Sequence, residues 1–270
     1  VCYMYKTITE LGAKEAKFLA RMASGKKSGF LTRDAISFWV NKEMAWKKLR
    51  LLERKGWIKR IERGKYIIIP LEAGERRTWS EDSYLIANAL IQPAILSYWT
   101  AIRHWNWTEQ IPNVVYVQTT ARKSKMSKHL FGVQYEIVKV NSKKIFGFVP
   151  EWRKGTKLLI TDREKTLIDC ADKPNYGGSI EELAKAVVEG SKEISWSRLN
   201  EYIRKFPSGA VKKRLGFLIE ELASPLPAEA RSILKEWRSS LTQGMSPLVP
   251  GTNTKGHYLR RWNLFVNTEI

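Results

Sequence analysis

Eight of the thirteen charged side chains between residues 42 and 65 set out the chemistry this sequence can offer. Lys42, Glu43, Lys47, Arg50 and Arg54 lie within one short stretch, and Arg60, Arg63 and Lys65 follow it. An arginine fork can give two parallel hydrogen bonds to a phosphate or to the O6/N7 edge of guanine. A lysine acts as a point charge suited to phosphate. Glu43 can accept from the cytosine amine, or simply stabilise the start of a helix. Lys47 and Arg50 are expected at base edges. Lys42, Arg60, Arg63 and Lys65 are expected on phosphate, where they give affinity without sequence information.

Catalytic chemistry is harder to assemble. Glu136, Asp162, Glu164, Lys165 and Asp169 fall on or near expected strands, as a nuclease with carboxylates converging on magnesium beside a lysine would require. Asp162 and Glu164 also sit where a helix begins, and acids belong there in any protein. His104, His129 and His257 are far apart, and none has a metal-ligand spacing to another His or Cys. Gly25-Lys26-Lys27-Ser28 lacks the full phosphate-loop pattern, and no GxSxG, HExxH or GxGxxG occurs. Cys170, on an apolar helix, reads as a small buried hydrophobe. No catalytic residue, metal or cofactor is assigned, and the protein is not expected to be an enzyme.

The elements that must position the basic residues form a recognisable order. Leu11, Phe18, Leu19 and Met22 keep helical spacing, predicting a helix over 9–23 capped by Thr9. Thr32 is expected to cap a short second helix with Ala35, Ile36 and Trp39 inside. Val40 turns the chain, and Asn41 caps a third helix ending before Gly56. At 100° per residue, Ala45, Leu49 and Leu52 share one face, with Glu43, Lys47, Arg50 and Arg54 opposite. GWIKRIERGKYIIIP then reads as strand, turn, strand. Three helices, the third basic, followed by a basic hairpin make a winged helix-turn-helix, with the third helix as its recognition element. Trp46 and Trp57 read as packing residues.

A linker is expected over 70–78, dividing a DNA-binding domain, 1–72, from a larger mixed α/β domain with a helical second half, 73–270. In the latter, Ser80 and Pro93 mark helix starts over 81–91 and up to His104. Strands are expected at 114–119, 135–140, 145–149 and 158–161. Helices are expected from 162, and over 179–189, 196–205, 209–222 and 228–238, with a last strand at 257–266. Arg122, Lys123, Lys125 and Lys128 form a second basic patch, in a loop.

Composition narrows the partner. The 270 residues carry 47 Lys/Arg against 27 Asp/Glu, for a net charge of +20. Residues 1–70 hold just over half of that excess, which favours a polyanion. A 43% hydrophobic fraction excludes a disordered chain, and two cysteines exclude a disulfide scaffold. No apolar run is long enough to span a bilayer. VCYMYKTITE lacks the apolar core of a signal peptide, so a cytoplasmic location without membrane contact is expected.

Four segments carry a resemblance: LLERKGWIKRIERGKYIIIP, SYLIANALIQPAILSYWTAIRHW, KLLITDREKTLIDCADKPNYGG and the terminal HYLRRWNLFVN. In this order, and spanning nearly the whole chain, they resemble the AbiEi family of antitoxins from type IV toxin–antitoxin and phage-defence loci. Arg63-Gly64-Lys65-Tyr66 matches the family's wing turn and following aromatic. The resemblance implies a winged-helix autorepressor that binds inverted repeats of double-stranded DNA in its own promoter, as a monomer or weak dimer cooperating on DNA. It also implies a C-terminal domain that counters a nucleotidyltransferase toxin without stable contact. The rival readings are an interaction protein whose C-terminal domain binds the toxin or its RNA substrate, a winged-helix metal-dependent nuclease, and a ligand-responsive regulator.

Overall fold

The computed structural model describes residues 10–24, 29–69, 82–123, 126–251 and 255–270. The fold is mixed α/β, as expected, and divides into two compact units. The first comprises Val1–Ala94 with the short segments His129–Val133 and Glu151–Leu158. The second comprises Ile95–Lys128, Gln134–Pro150 and Leu159–Ile270.

The first unit runs α1 (Ala13–Ser24), β1 (Phe30–Leu31), α2 (Thr32–Trp39), α3 (Lys42–Arg54), β2 (Ile58–Glu62), β3 (Lys65–Ile68) and α4 (Ser83–Leu90). Helix α1 begins at Ala13 rather than near residue 9, because Glu15 folds back to accept the Gly12 N–H at 3.3 Å. The expected cap, Thr9, lies outside the described residues. Thr32 opens α2 but does not cap it. Leu31 stands at the cap, and its N–H donates to the Asp34 carboxylate at 2.7 Å. Asn41 caps α3 as expected, accepting from the Met44 N–H at 2.9 Å.

Strands β2 and β3 form an antiparallel hairpin, with Ile58 opposite Ile68 and Arg60 opposite Tyr66. Its turn relies on Gly64, at φ +76°, a conformation that a side chain would strain. The pair Phe30–Leu31 adds an unanticipated third strand beside β3. Phe18, Trp39, Ala45, Leu49, Leu52, Trp57 and Tyr66 fill the core between helices and hairpin. Phe18 meets Phe30 edge-on at 5.2 Å and Trp39 at 4.4 Å, an arrangement suited to the ring quadrupoles.

Asp82, not Ser80, caps α4, accepting from the Tyr84 N–H at 2.9 Å. The expected linker at 70–78 and Ser80 itself lie outside the described residues. Helix α4 belongs to the first unit, so that unit extends well past the expected boundary at 72.

In the second unit come β4 (Ile95–Leu96), α5 (Trp99–His104), β5 (Val114–Thr119), β6 (Ser127–Leu130), β7 (Val133–Lys139), β8 (Phe148–Arg153) and β9 (Thr156–Thr161), with parts of β6 to β9 counted in the first. Pro93 does not open a helix. The residues after it form β4, held in place by Ile95 pairing with Gln118 on β5 and with Leu159 on β9. The order in the six-stranded sheet is β6-β7-β5-β4-β9-β8. The helical half then follows: α6 (Arg163–Asp172), α7 (Ile180–Gly190), α8 (Trp196–Lys205), α9 (Gly209–Leu222) and α10 (Ala228–Ser239).

Asp162, Ser179 and Ser195 each accept an N–H from the first turn of α6, α7 and α8. The chain closes with β10 (Ser246–Pro247), β11 (His257–Leu259) and β12 (Leu264–Val266), in the order β10-β12-β11. The expected single strand at 257–266 is therefore a hairpin. It reverses through a 3-10 turn at Arg260–Trp262, with Asn263 left-handed at φ +48°. No helix among the described residues is long and apolar enough to cross a membrane.

Candidate nucleic-acid interface

Helix α3 buries Ala45, Leu49 and Leu52 and leaves Lys42, Glu43, Lys47, Arg50 and Arg54 exposed. Glu43, Lys47, Arg50 and Arg54 fall within about 60° of arc, so three cations share one stripe. Like charges three and four residues apart repel on a helix surface, and the single carboxylate Glu43, four residues before Lys47, does not offset all three cations. An external polyanion would.

Two apolar side chains flank the stripe, and neither was anticipated as a surface group. Val40, in the turn before α3, is 88% exposed, and Met44 is 49% exposed. Val40 also holds φ +63°, a costly conformation for a β-branched residue. A valine and an asparagine joining two helices was the available signal, since a left-handed residue has to break that junction.

The hairpin divides its three basic residues. Arg63 stands exposed at the turn. Arg60 is exposed, but its guanidinium donates to the Glu62 carbonyl at 3.2 Å and its N–H to Glu53 at 3.3 Å. Lys65 departs from expectation. Its ammonium donates to the Leu90 carbonyl at 2.7 Å and to the Ala89 carbonyl at 3.5 Å. It also lies 3.5 Å from the Glu62 carboxylate. Those carbonyls close the C-terminal end of α4, where the helix dipole favours a cation. Lys65 thus fastens the hairpin to α4 instead of reaching for phosphate.

Behind the stripe, the buried carboxylate of Glu15 takes Lys48 at 2.9 Å and Lys55 at 3.5 Å. Burial pushes this carboxyl up, but hydrogen bonds from Lys48 and the Gly12 N–H, with both lysine charges, hold it below its ordinary value. Lys48 on α3 and Lys55 at its C-cap are therefore bound by Glu15, and the outer stripe stays clear of it.

In the second basic patch, Arg122 is exposed, whereas Lys123 and Lys128 are half-buried and engaged. Lys128 opens out of the expected loop into β6. Lys125 lies outside the described residues.

Each of the five residues with nuclease potential makes a contact within the fold. Glu136 accepts from Ser127 on β6 at 2.7 Å and from Gln134 on its own strand at 2.9 Å. Asp162 caps α6 and accepts the Tyr202 hydroxyl at 2.8 Å, and burial raises its pKa. Glu164 accepts the Ser195 N–H at 2.7 Å. Lys165 and Asp169 form an ion pair one turn apart, both fully buried. The rings of Phe146 and Phe206 lie 5.2 and 5.3 Å from the Lys165 ammonium. Among the described residues no group of three or more His, Cys, Asp or Glu could hold a metal ion. Cys170 is free and buried, and desolvation lifts its thiol far above the ordinary range, as befits a core residue.

No family model matches the sequence, and no curated protein does. Among solved structures the chain is similar to the RV2827C protein from Mycobacterium tuberculosis, with a TM-score of 0.64 and 15% identity. The match covers 96% of this chain and 93% of that one. At that identity the likeness establishes a shared fold.

Proposed function

We propose that this chain is a sequence-specific DNA-binding autorepressor whose first unit acts as a winged helix, with α3 in the major groove and the β2–β3 turn on the flanking backbone. The observation that carries the reading is the exposed stripe of Lys47, Arg50 and Arg54 on a helix packed by its opposite face. Lys47 and Arg50 read base edges, Lys42, Arg60 and Arg63 hold phosphate, and Arg54 extends the stripe. The exposed pair Val40 and Met44 suits apolar contact with a thymine methyl group.

The resemblance to the AbiEi family supports a further role, as the antitoxin that counters a nucleotidyltransferase toxin. In that role the second unit is responsible for neutralisation. Its operator is an inverted repeat, one half-site for each copy of the chain.

The test is binding to the DNA upstream of its own gene against a scrambled duplex of equal length, at two salt concentrations. The expected result is a tight, selective complex filled in two steps. Equal binding to both duplexes with the same steep salt dependence would overturn sequence recognition and leave only electrostatic attraction.

A further inference from the structure

The C-terminal sheet presents a face that the DNA-binding reading does not use. Its register aligns Pro247 on β10 with Phe265 on β12, and Phe265 with Tyr258 on β11. Side chains alternate across a strand, so these three form a row on one face. The other face carries Leu264 and Val266, both buried. It packs in the core together with Leu248 and Trp262. The row faces away from that core: Tyr258 is 67% exposed, Pro247 is exposed and Phe265 half-buried. The rings of Tyr258 and Phe265 lie 4.9 Å apart, inclined at 39°.

Tyr258 is dispensable to the core, because the sheet is anchored by the opposite face. Around it the sequence is cationic. Residues 255–261, KGHYLRR, hold Lys255, Arg260 and Arg261 with no acid among them. Lys255, His257 and Arg260 are exposed, while Arg261 pairs with Glu220 at 3.0 Å and Glu221 at 2.8 Å. An aromatic pair with Tyr258 open to solvent, and exposed cations three residues before and two after it in the chain, has the chemistry of a stacking platform for unpaired bases. A duplex keeps its base faces covered and would gain only the charge.

We infer that the Pro247–Phe265–Tyr258 face binds single-stranded nucleic acid, stacking a base on the Tyr258–Phe265 pair and holding its phosphates with Lys255 and Arg260. This surface lies wholly in the second unit and does not depend on the DNA-binding reading of the first.

The experiment uses the full chain and fluorescein-labelled twelve-nucleotide oligomers of thymidylate and of uridylate, with a blunt duplex of the same length beside them. Single-strand binding is expected in the micromolar range, with Tyr258→Ala and Phe265→Leu each weakening it about tenfold. Both variants should leave duplex binding and the unfolding midpoint unchanged. Tyr258→Trp, which keeps a stacking ring, should restore affinity. Lys255→Ala with Arg260→Ala should flatten the salt dependence of single-strand binding. A preference for uridylate over thymidylate would identify RNA as the physiological form, and the reverse would identify DNA.

Absence of single-strand binding, or affinity indifferent to Tyr258→Ala, would overturn the inference. So would competition between oligomer and duplex that is abolished by Arg50→Ala, since the strand would then be resting on α3. Arg50→Ala that weakens duplex binding alone would separate the two surfaces.

Discussion

Helices α3 and α6 are built from similar letters, KEMAWKKLRLLER and REKTLIDCAD, and the fold treats them in opposite ways. Helix α3 pushes its charges into solvent. Helix α6 is buried from Glu164 to Ala171, ionisable residues included. What separates them is how completely the charges are matched one turn away. Lys165 finds Asp169 four residues on, so the pair can enter the core together between the rings of Phe146 and Phe206. On the α3 stripe one carboxylate, Glu43, stands four residues before Lys47, and it cannot match Lys47, Arg50 and Arg54 together. A stripe that cannot neutralise itself has to remain in water, and it is there that a polyanion can reach it. The internally paired helix organises a core, and the cationic stripe stays exposed to solvent.

The largest effect that tests this contrast lies in α6. Lys165→Met leaves Asp169 buried without its cation, which is expected to destabilise the second unit by about 3–5 kcal/mol in denaturant unfolding. Replacing both members, Lys165→Met with Asp169→Leu, should recover most of the loss, because a well-packed apolar pair costs nothing to desolvate. Burial already raises the Asp169 pKa despite Lys165. Without the lysine that carboxyl rises further, so the single variant should lose more stability as pH increases. A Lys165→Met cost below about 1 kcal/mol would mean the pair is not what holds α6 in the core.

On α3 the same kind of removal should barely register in folding. Arg50→Ala is expected to change stability by less than about 0.5 kcal/mol. Its effect belongs on DNA, as a loss of about 1–3 kcal/mol confined to one base-pair position, read by measuring binding to a set of single-substitution operators. A uniform loss across all sequences would move Arg50 from base to phosphate. A large loss of stability would erase the contrast with α6.

Much of this was legible in the sequence where a local signal sufficed. Asn41 and Asp162 announced their helices because a cap acts on residues two or three positions away. The stripe on α3 followed from helical periodicity alone. What the sequence hid depends on distant partners. The strand state of Ile95–Leu96 comes from β5 and β9, against the hint from Pro93. Strand β6 lies in SKHL, which has no apolar alternation to reveal it. The Pro247–Phe265–Tyr258 row exists only once the register of three strands is known. Lys65 looked like Arg63 because both flank one glycine, and only the carbonyls of residues 89 and 90 distinguish them.

That last difference can be measured. Lys65→Ala should cost the first unit about 1 kcal/mol of stability, since it removes charge-assisted hydrogen bonds to the end of α4. Arg63→Ala should leave stability unchanged, but flatten the salt dependence of DNA binding by about one unit of slope. If Lys65→Ala instead changed only the salt slope, Lys65 would return to the phosphate-binding set and the hairpin would have two free cations at its turn.

The smallest expected effect concerns the division of lysines on α3 itself. Glu15 is what separates Lys48 and Lys55, which serve the fold, from the outward stripe. Its carboxyl is held below the ordinary value in the folded state, so its contribution to stability is fully present above the unfolded pKa and is lost as pH falls through the folded one. The first unit should therefore weaken below about pH 4.5, and Glu15→Gln should flatten that acid limb in a pH series of thermal melts. Asp162, whose pKa is raised by burial, has the opposite sign: its contribution declines as pH rises from its unfolded value towards its folded one. An acid limb in the first unit's melts that survives Glu15→Gln unchanged would show that Lys48 and Lys55 do not rely on Glu15, and that all the lysines of α3 belong to its surface.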